Sequence, residues 1–408
     1  MGPGQAVGLS ALAASSGAYS LMMGAFLLAR ARARAQRQPP SRAPRVSVFK
    51  PLAGVDDDLE SNLESFAKLD YPSFELLLAV ASTADAAYPV AKAFVERHPK
   101  VDVRVVVTDP HATKNPKVAQ LVALERVATG SVFVISDSNV RVSPKYLETL
   151  IEQLEGENVG LVTSLFVGTG EKSLGAALEN LQIGAYVAPS IAASALLAPR
   201  PFTVGKSMAM WRRDIAKMGG FRSIGDVLAE DHLLGRKVAE QGLEIRLSLD
   251  AVENRNVSCS VRRTLERHTR WAKMRRVISP TGFALEPLGS PLTIATAFVG
   301  LSPGGLSYAA LVSTWLLQML GTSVALRTLR GRVPWRILAL EPLRCYVTLW
   351  CWMHACVSKR VSWRGHPIVL GKDSRIVTLA ERREARAKDA KDRGPWSTRL
   401  RRAFANVA

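Results

Sequence analysis

Three acidic residues in this chain could take part in group-transfer chemistry. Asp137 follows an apolar run typical of a buried strand, where a carboxylate could bind a divalent cation that bridges a diphosphate. Glu230 and Asp231 stand at the start of an apolar-periodic helical segment, which can direct a carboxylate into a cleft. A strand-ending turn would also explain Asp137, and capping of a helix N-terminus would also explain the other two residues. Each position alone is therefore compatible with a structural role.

A second group of candidate residues combines two cations with an indole. Arg267 and Arg270 are three residues apart and hence on one face of a helix, where they could hold phosphate oxygens. Trp271 could border a lipid or a sugar. A basic amphipathic helix at a membrane surface is the structural alternative, because an apolar region follows soon afterwards.

The elements that must position these residues alternate in type between residues 46 and 165, which predicts β-α units and a mostly parallel sheet. The predicted strands are residues 46–50, 74–80, 101–107, 132–136 and 159–165. The predicted helices are residues 57–68, 86–97, 115–128 and 144–155. Ligands of open α/β sheets bind beyond the carboxyl ends of the strands. We therefore expect the chemistry at residues 50–56, 82–85 and 136–139.

Two common phosphate-binding motifs are missing from the sequence. No GxGxxG follows the first predicted strand, which counts against a dinucleotide site. Gly205, Lys206 and Ser207 resemble the end of a P-loop, but Arg200 stands where that motif requires glycine. Neither a dinucleotide-binding enzyme nor a P-loop NTPase is predicted.

Uncharged stretches predict membrane helices. Residues 1–29 contain no charged side chain and exceed the roughly 20 residues that cross a hydrocarbon core. Arginines follow this stretch, which predicts an uncleaved anchor with its N-terminus outside and the rest of the chain in the cytosol. The predicted organisation is a transmembrane helix (1–29), a basic linker (30–44), an α/β domain (45–285), a transmembrane hairpin turning at 302–305 (286–327), an interfacial or membrane helix (337–358) and a basic cytosolic tail (359–408).

The formal net charge of +19 would suit a nucleic-acid partner if it were spread over the fold. Instead the basic residues concentrate at 30–45 and 382–402, beside apolar segments, as the positive-inside rule produces. No nucleic-acid partner is therefore predicted. The four cysteines have no CxxC spacing, so neither a zinc site nor a disulfide framework is indicated.

Between about residues 44 and 285, the motifs form an ordered set. They are Lys50-Pro51-Leu52-x-Gly54-Val55-Asp56, Leu69-Asp70-Tyr71-Pro72, Asn115-Pro116-Lys117, Asp137-Ser138-Asn139-Val140-Arg141-Val142, Val159-Gly160-Leu161-Val162, Ala229-Glu230-Asp231 and Arg267-x-x-Arg270-Trp271. The set resembles the ceramide glucosyltransferase family, a membrane-bound branch of the inverting GT-A glycosyltransferases, in a bacterial-type member. The resemblance implies a Rossmann-like GT-A domain.

The resemblance also implies roles for individual residues. Asp231 is implied to be the catalytic base, and Asp137 to bind the Mn or Mg ion that accompanies the donor diphosphate. Ser82 stands where the family has its first aspartate, which leaves Asp85 as the acidic residue of that turn. The implied donor-side residues are Lys50, Pro51, Asp85, Asn115, Lys117, Asp137, Arg267, Arg270 and Trp271. The implied acceptor-side residues are Gly205, Lys206 and Glu230, of which Lys206 departs from the family pattern and could meet an anionic group of the donor or lipid.

The implied reaction transfers a hexose from a UDP-sugar, most often UDP-glucose in the family, to the primary hydroxyl of ceramide or a related sphingolipid. The implied location is an integral membrane protein, in a bacterial inner membrane, with the catalytic domain on the cytosolic face. Transfer of an N-acetylhexosamine to a hopanoid lipid is one alternative. A processive polysaccharide synthase and a non-catalytic membrane scaffold are the others.

Overall fold

The computed structural model describes residues 2–35, 40–55, 57–198, 202–358, 360–363, 366–378 and 381. Asp56, Arg200, residues 36–39 of the predicted basic linker and the basic residues from 382 to 402 lie outside the described residues.

An eight-stranded sheet forms the centre of the protein, and a three-stranded sheet lies near the C-terminus. The strands are β1 (Val46–Pro51), β2 (Phe74–Val80), β3 (Val103–Val107), β4 (Val132–Ser136), β5 (Val140–Arg141), β6 (Val159–Thr169), β7 (Ser207–Trp211), β8 (Glu244–Arg255), β9 (Arg360–Trp363), β10 (His366–Leu370) and β11 (Ile376–Thr378). The central sheet has the order β3-β2-β1-β4-β7-β6-β8-β5. The neighbours β3-β2-β1-β4 and the pair β6-β8 are parallel, whereas β7 runs antiparallel between β4 and β6. The predicted α/β GT-A class with a mostly parallel sheet is confirmed.

Some helices cover the two faces of the sheet, and other helices form a separate apolar group. They are α1 (Pro3–Ala35), α2 (Leu59–Ala67), α3 (Ala87–Arg97), α4 (Pro116–Val127), α5 (Tyr146–Leu154), α6 (Leu174–Gln182), α7 (Ala188–Leu197), α8 (Arg212–Lys217), α9 (Glu230–Glu240), α10 (Val261–Ile278), α11 (Pro280–Leu285), α12 (Pro291–Leu301), α13 (Gly305–Arg330), α14 (Trp335–Leu338) and α15 (Glu341–Val357). The predicted strands and helices agree with these bounds within two residues, except that β6 continues to Thr169.

The core has two parts because the sheet is buried on both faces. Val46 and Val48 of β1 point into one apolar cluster, and Phe49 points into the other. In the second cluster the rings of Phe49 and Phe133 lie 4.9 Å apart. All six residues of β1 are buried. Packing on both faces therefore holds this strand, and with it the loop that begins at its carboxyl end, in a fixed position.

The described residues contain three helical segments long and apolar enough to cross a membrane, namely Pro3–Ala35, Leu174–Leu197 and Gly305–Arg330. The segment Leu174–Leu197 consists of α6 and α7 joined by a π-helical turn at Ile183–Val187, and it is largely buried inside the protein. The helices around Pro280–Gly289 and Pro291–Leu301 form a further apolar pair, bent by 74°. The helix break predicted at residues 302–305 lies between α12 and α13.

The segment predicted as a basic tail contains the strands β9, β10 and β11, which the sequence analysis did not predict. Ile368 and Ile376 of these strands pack against Leu228, in the loop that precedes α9. The main chain of the same loop is also bound, because Leu228 N donates to the Ser374 carbonyl oxygen over 3.0 Å. This small sheet therefore supports the loop that leads to Asp231.

Candidate active site

Strand register places Asp137 beside Lys206. In the antiparallel pair β4-β7, Ser136 lies opposite Ser207, and the pairing continues with a 3.2 Å hydrogen bond from Asp137 N to the Lys206 carbonyl oxygen. The residue after β4 and the residue before β7 must therefore meet at the carboxyl edge of the parallel strands. The same edge was predicted to carry the chemistry.

Opposite charges meet at this edge in one cluster. The ammonium group of Lys117 lies 2.8 Å from Oδ1 of Asp137 and 2.9 Å from Oε1 of Glu230. The ammonium group of Lys206 lies 3.1 Å from Oδ2 of Asp137. Although burial opposes it, the two lysines hold the pKa of Asp137 well below its usual range. Burial would lower the pKa of Lys117, but Asp137 and Glu230 raise it above its usual range.

Asn115 links the helix that carries Lys117 (α4) to the helix that carries Glu230 (α9). Its Oδ1 accepts hydrogen bonds from Lys117 N (3.0 Å) and Val118 N (3.4 Å), which caps α4. Its Nδ2 donates to the Val227 carbonyl oxygen at 2.9 Å and to Oε2 of Glu230 at 3.4 Å. One buried amide thus ties the first turn of α4 to the start of α9.

Asp231 is held by two main-chain donors. Its Oδ2 accepts from Gly205 N and its Oδ1 accepts from His232 N, both over 2.8 Å. Burial, and next the charge of Glu230, raise the pKa of Asp231 to about 6, while Lys117 and the two hydrogen bonds oppose the rise. A carboxylate whose pKa lies close to neutral pH is suited to accept a proton.

Lys50 and Pro51, predicted as donor contacts, lie within the sheet. The Lys50 side chain is fully buried, and its ammonium group donates to the carbonyl oxygens of Asp137 (2.6 Å) and Val140 (3.2 Å). It also stands 4.1 Å from the centroid of the Phe66 ring. In this position Lys50 fixes the loop that carries Asp137.

Asp85 joins the loops that follow β1 and β2. Its Oδ1 accepts from Gly54 N at 2.8 Å and from Ala87 N at 2.9 Å. Because β1, β2 and β4 are parallel neighbours, Asp85 and Asp137 lie at the same edge of the sheet.

Arg267 contacts α6. Its guanidinium forms an ion pair with the buried carboxylate of Glu179 and donates to Oδ1 of Asn256 at 3.2 Å. Trp271 packs edge-on against His268, with ring centroids 5.1 Å apart. In the described part of the chain, the ion pairs of the Asp137 cluster do not include Arg267.

The chemistry of the donor set fits a divalent cation held partly by a substrate. The ammonium group of Lys206 already occupies a cationic position at Oδ2 of Asp137. Carboxylate oxygens suit Mg or Mn, and Mg is commonly held by one or two carboxylates together with substrate phosphates. The described residues contain no group of three or more His, Cys, Asp or Glu side chains arranged for a metal. A cation at this site therefore needs oxygen ligands from the donor.

Asn139 belongs to the segment 136–139 in which chemistry was expected, but no individual role was predicted for it. Its Oδ1 accepts a 3.0 Å hydrogen bond from the Lys206 ammonium group. Its position two residues after Asp137, in the same strand-ending loop, is the signal that could have identified it.

Comparisons with known proteins show which proteins this chain resembles. A family model described as Glycosyl transferase family 21 matches residues 10–376. The chain is 29% identical over 249 residues to Ceramide glucosyltransferase 3 of Caenorhabditis elegans, and the match covers 61% of this chain and 54% of that protein. It is 26% identical over 368 residues to Ceramide glucosyltransferase 1 of the same species, covering 88% of this chain and 79% of that protein.

Solved structures with a similar chain path include the mannosyltransferase PcManGT from Pyrobaculum calidifontis in complex with GDP-Man and Mn2+. It is 20% identical, with a TM-score of 0.45, and the match covers 83% of this chain and 99% of that structure.

Proposed function

The chain belongs to glycosyl transferase family 21, as its motifs predicted, and we propose that it transfers a hexose from a UDP-sugar to a lipid hydroxyl with inversion at the anomeric carbon. The proposed donor is UDP-glucose. The proposed acceptor is the primary hydroxyl of ceramide or a related sphingolipid, and transfer takes place at the cytosolic membrane face. The observation that carries this proposal is Asp231, a carboxylate with a raised pKa held next to the Asp137 cluster.

Asp231 supplies the base for the transfer. Ionised above pH 6, its carboxylate accepts the proton of the acceptor hydroxyl as the oxygen attacks the anomeric carbon. The bond to the UDP oxygen breaks in the same step, and the electron pair leaves with UDP. A single displacement of this kind inverts the anomeric configuration.

Lys117, next to Asp137, favours the departure of UDP. Negative charge develops on the leaving diphosphate, and an ammonium group fixed at that position stabilises it without reorganising. Lys117 is fixed by its ion pairs with Asp137 and Glu230. A bound divalent cation, Mn or Mg, would neutralise the same diphosphate charge, and Asp137 is the residue that would hold it.

Two basic helix ends support the proposed cytosolic orientation. Arg30, near the end of α1, donates to the Leu249 carbonyl oxygen. Arg330, at the end of α13, forms a 2.7 Å ion pair with Glu171. Both apolar helices therefore end with basic residues on the side of the α/β domain, which matches the positive-inside rule for a cytosolic domain. We further propose that the membrane is a bacterial inner membrane.

A donor-by-acceptor panel tests the proposed function. The purified full chain in nanodiscs is assayed with UDP-glucose, UDP-galactose or UDP-N-acetylglucosamine, each against ceramide or a hopanoid alcohol, with Mn, with Mg and with EDTA. Released UDP and the mass of the lipid product are measured. Hexosyl-ceramide as the product, lost in Asp231→Asn, is the expected result.

The other outcomes separate the alternatives. Product on the hopanoid alone would replace the sphingolipid acceptor. Repeated addition of sugar to one product would indicate a processive synthase. UDP binding without transfer to any acceptor would contradict a transferase acting on these lipids.

A further inference from the structure

Lys206 has no role in the proposed proton transfer. Its ammonium group nevertheless forms an ion pair with Asp137, the carboxylate that is proposed to bind the donor's cation. It contacts Oδ2 of Asp137 at 3.1 Å and Oδ1 of Asn139 at 3.0 Å. Both side chains of this ion pair are partly exposed, Lys206 at 18% and Asp137 at 24%. The contact is therefore accessible to a ligand that enters from solvent.

The second lysine of the cluster is held differently. Lys117 bridges two carboxylates, and it also donates to the Gly205 carbonyl oxygen at 3.4 Å. If Lys117 left its position, Glu230, which is 11% exposed, would lose its cation. If Lys206 left, Asp137 would keep Lys117, and the neutral amide of Asn139 would be returned to solvent. Lys206 is thus the cation of this cluster that can move at the lower electrostatic cost.

A divalent cation and the Lys206 ammonium group compete for the same carboxylate. A cation bound to Oδ2 of Asp137 would lie next to the ammonium group, and the two positive charges repel each other at that separation. The lysine side chain has a flexible four-carbon stem and three donors, so its charge can move to a nearby anion. The donor diphosphate is the anion that would arrive with the cation.

We propose that Lys206 holds Asp137 in the donor-free protein and passes its ammonium group to the donor diphosphate when a divalent cation takes its place on the carboxylate. The inference rests on the proposed function, because it takes a nucleoside diphosphate as the ligand. It makes the cation and the donor bind cooperatively, since each one favours the arrangement that the other requires. Bound alone, the cation must displace Lys206 and leave that charge without a partner.

Replacing Lys206 by a neutral residue has two effects of opposite sign. Without the competing ammonium group, Mn binds more tightly in the absence of donor. Without the diphosphate contact, UDP binds more weakly once Mn is saturating. A lysine with only a structural role would change neither affinity, and a lysine that serves only as a donor contact would change the second alone.

The experiment measures both affinities in the full chain in nanodiscs. Mn binding is followed by electron paramagnetic resonance with no nucleotide present, and UDP binding by calorimetry at saturating Mn. The variants are Lys206→Met, Lys206→Gln as a second neutral form and Lys206→Arg, which keeps the charge. Lys145→Met removes an exposed lysine outside the site as the matched control. Thermal melting shows which variants are folded.

We expect about tenfold tighter Mn binding and about tenfold weaker UDP binding in the two neutral variants, within the usual range of coupling between sites. Lys206→Arg and Lys145→Met stay close to the parent protein. Unchanged Mn affinity in the neutral variants would contradict the proposal that Lys206 competes with the cation for Asp137. Unchanged UDP affinity would contradict the proposal that the Lys206 ammonium group binds the diphosphate. If the parent protein binds no UDP at any Mn concentration, the proposed function fails, while the Mn measurement still tests the contact of Lys206 with Asp137.

Discussion

The main-chain N–H of Gly205 donates a 2.8 Å hydrogen bond to Oδ2 of Asp231. A Cβ atom built on Gly205 would lie 3.0 Å from that same oxygen and 3.2 Å from Asp231 Cβ. A side chain at this position would therefore have to push the carboxylate by a few tenths of an ångström away from its donor. The contact links the loop before β7 to the start of α9, which are 26 residues apart in the sequence.

We expect Gly205→Ala to lower the rate of transfer. The methyl group displaces the Asp231 carboxylate by a few tenths of an ångström and weakens its hydrogen bond, and misplacement of a reacting group can cost up to about 100-fold. A fall in kcat of at least about tenfold, with little change in UDP affinity, is the expected result in a UDP-release assay. Gly24→Ala serves as the control, since no atom lies within 4 Å of its added Cβ. Equal losses in both variants would contradict the prediction.

Asp231→Asn separates catalysis from stability. The amide cannot accept the proton of the acceptor, so transfer is lost while UDP binding stays. The raised pKa means that the folded protein disfavours the charged carboxylate, so stability falls as pH rises from the ordinary pKa of Asp through about 6. The amide carries no charge but can accept only one of the two main-chain hydrogen bonds, so the melting temperature of the variant relative to the parent protein should increase as the pH rises from 4 to 8. A difference that stays constant over this range would show that the charge costs no stability.

The pH profile of kcat/KM should report the same group. The proposed base must be ionised to accept a proton, so we expect activity to fall about tenfold per pH unit below the pKa of about 6. The charge of Glu230 contributes to the high pKa, and Glu230→Gln should therefore move the acid limb to lower pH. The position of this limb is measured between pH 4.5 and 8 by UDP release. If the acid limb of Glu230→Gln lies at the same pH as that of the parent protein, the limb reports the titration of another residue.

The sequence predicted β2 and β4 well because these strands are buried and read as nearly continuous apolar runs. β4, for example, lies at residues 132–136 as predicted, and Asp137 follows it. The contact of Asp137 with Lys206 was not predicted, since it depends on the antiparallel pairing of β7 with β4, and residues 137–206 separate these strands in the sequence. Local periodicity carries no information about such a pairing.

Lys50 shows a second kind of information that the sequence lacks. The family resemblance implied a contact with the donor, and in the structure the side chain turns under the neighbouring loop and binds its carbonyl oxygens. The direction of a long side chain depends on the space that tertiary packing leaves. The strands β9 to β11 were not predicted for another reason. Their short apolar stretches lie inside a basic segment, which was therefore interpreted as a tail.

Arg267 is expected to be required for folding. Its guanidinium is the cationic partner of Glu179, whose side chain is fully buried. Arg267→Gln leaves a buried carboxylate without its cation, at a cost of about 3–5 kcal/mol. The double variant Glu179→Gln with Arg267→Gln should recover part of the melting temperature, because the uncompensated charge is gone. If Arg267 acts only on the donor, the single variant will melt like the parent protein and lose UDP affinity.

The small C-terminal sheet should be needed for activity although it contributes no candidate catalytic residue. The sheet and the turn before β11 hold the loop before α9, since Ile376 N donates to the Asp226 carbonyl oxygen at 2.8 Å and the Ser374 hydroxyl oxygen accepts from Ala229 N at 3.1 Å. Truncation after residue 358 removes these bonds and also the packing of Ile368 on Leu228. The loop would then be free to move, and with it the first turn of α9 that carries Asp231.

We expect this truncation to lower kcat strongly while UDP binding through Asp137 and Lys117 changes less, because those residues belong to other elements. Truncation after residue 381 keeps every contact just described and is the matched control. Hydrogen exchange of residues 226–231 gives a readout that does not depend on turnover, and it should be faster in the shorter protein alone. Similar exchange in both truncated proteins would mean that the loop is held by the α/β domain itself, with Asn115 bound to Val227 as the remaining link.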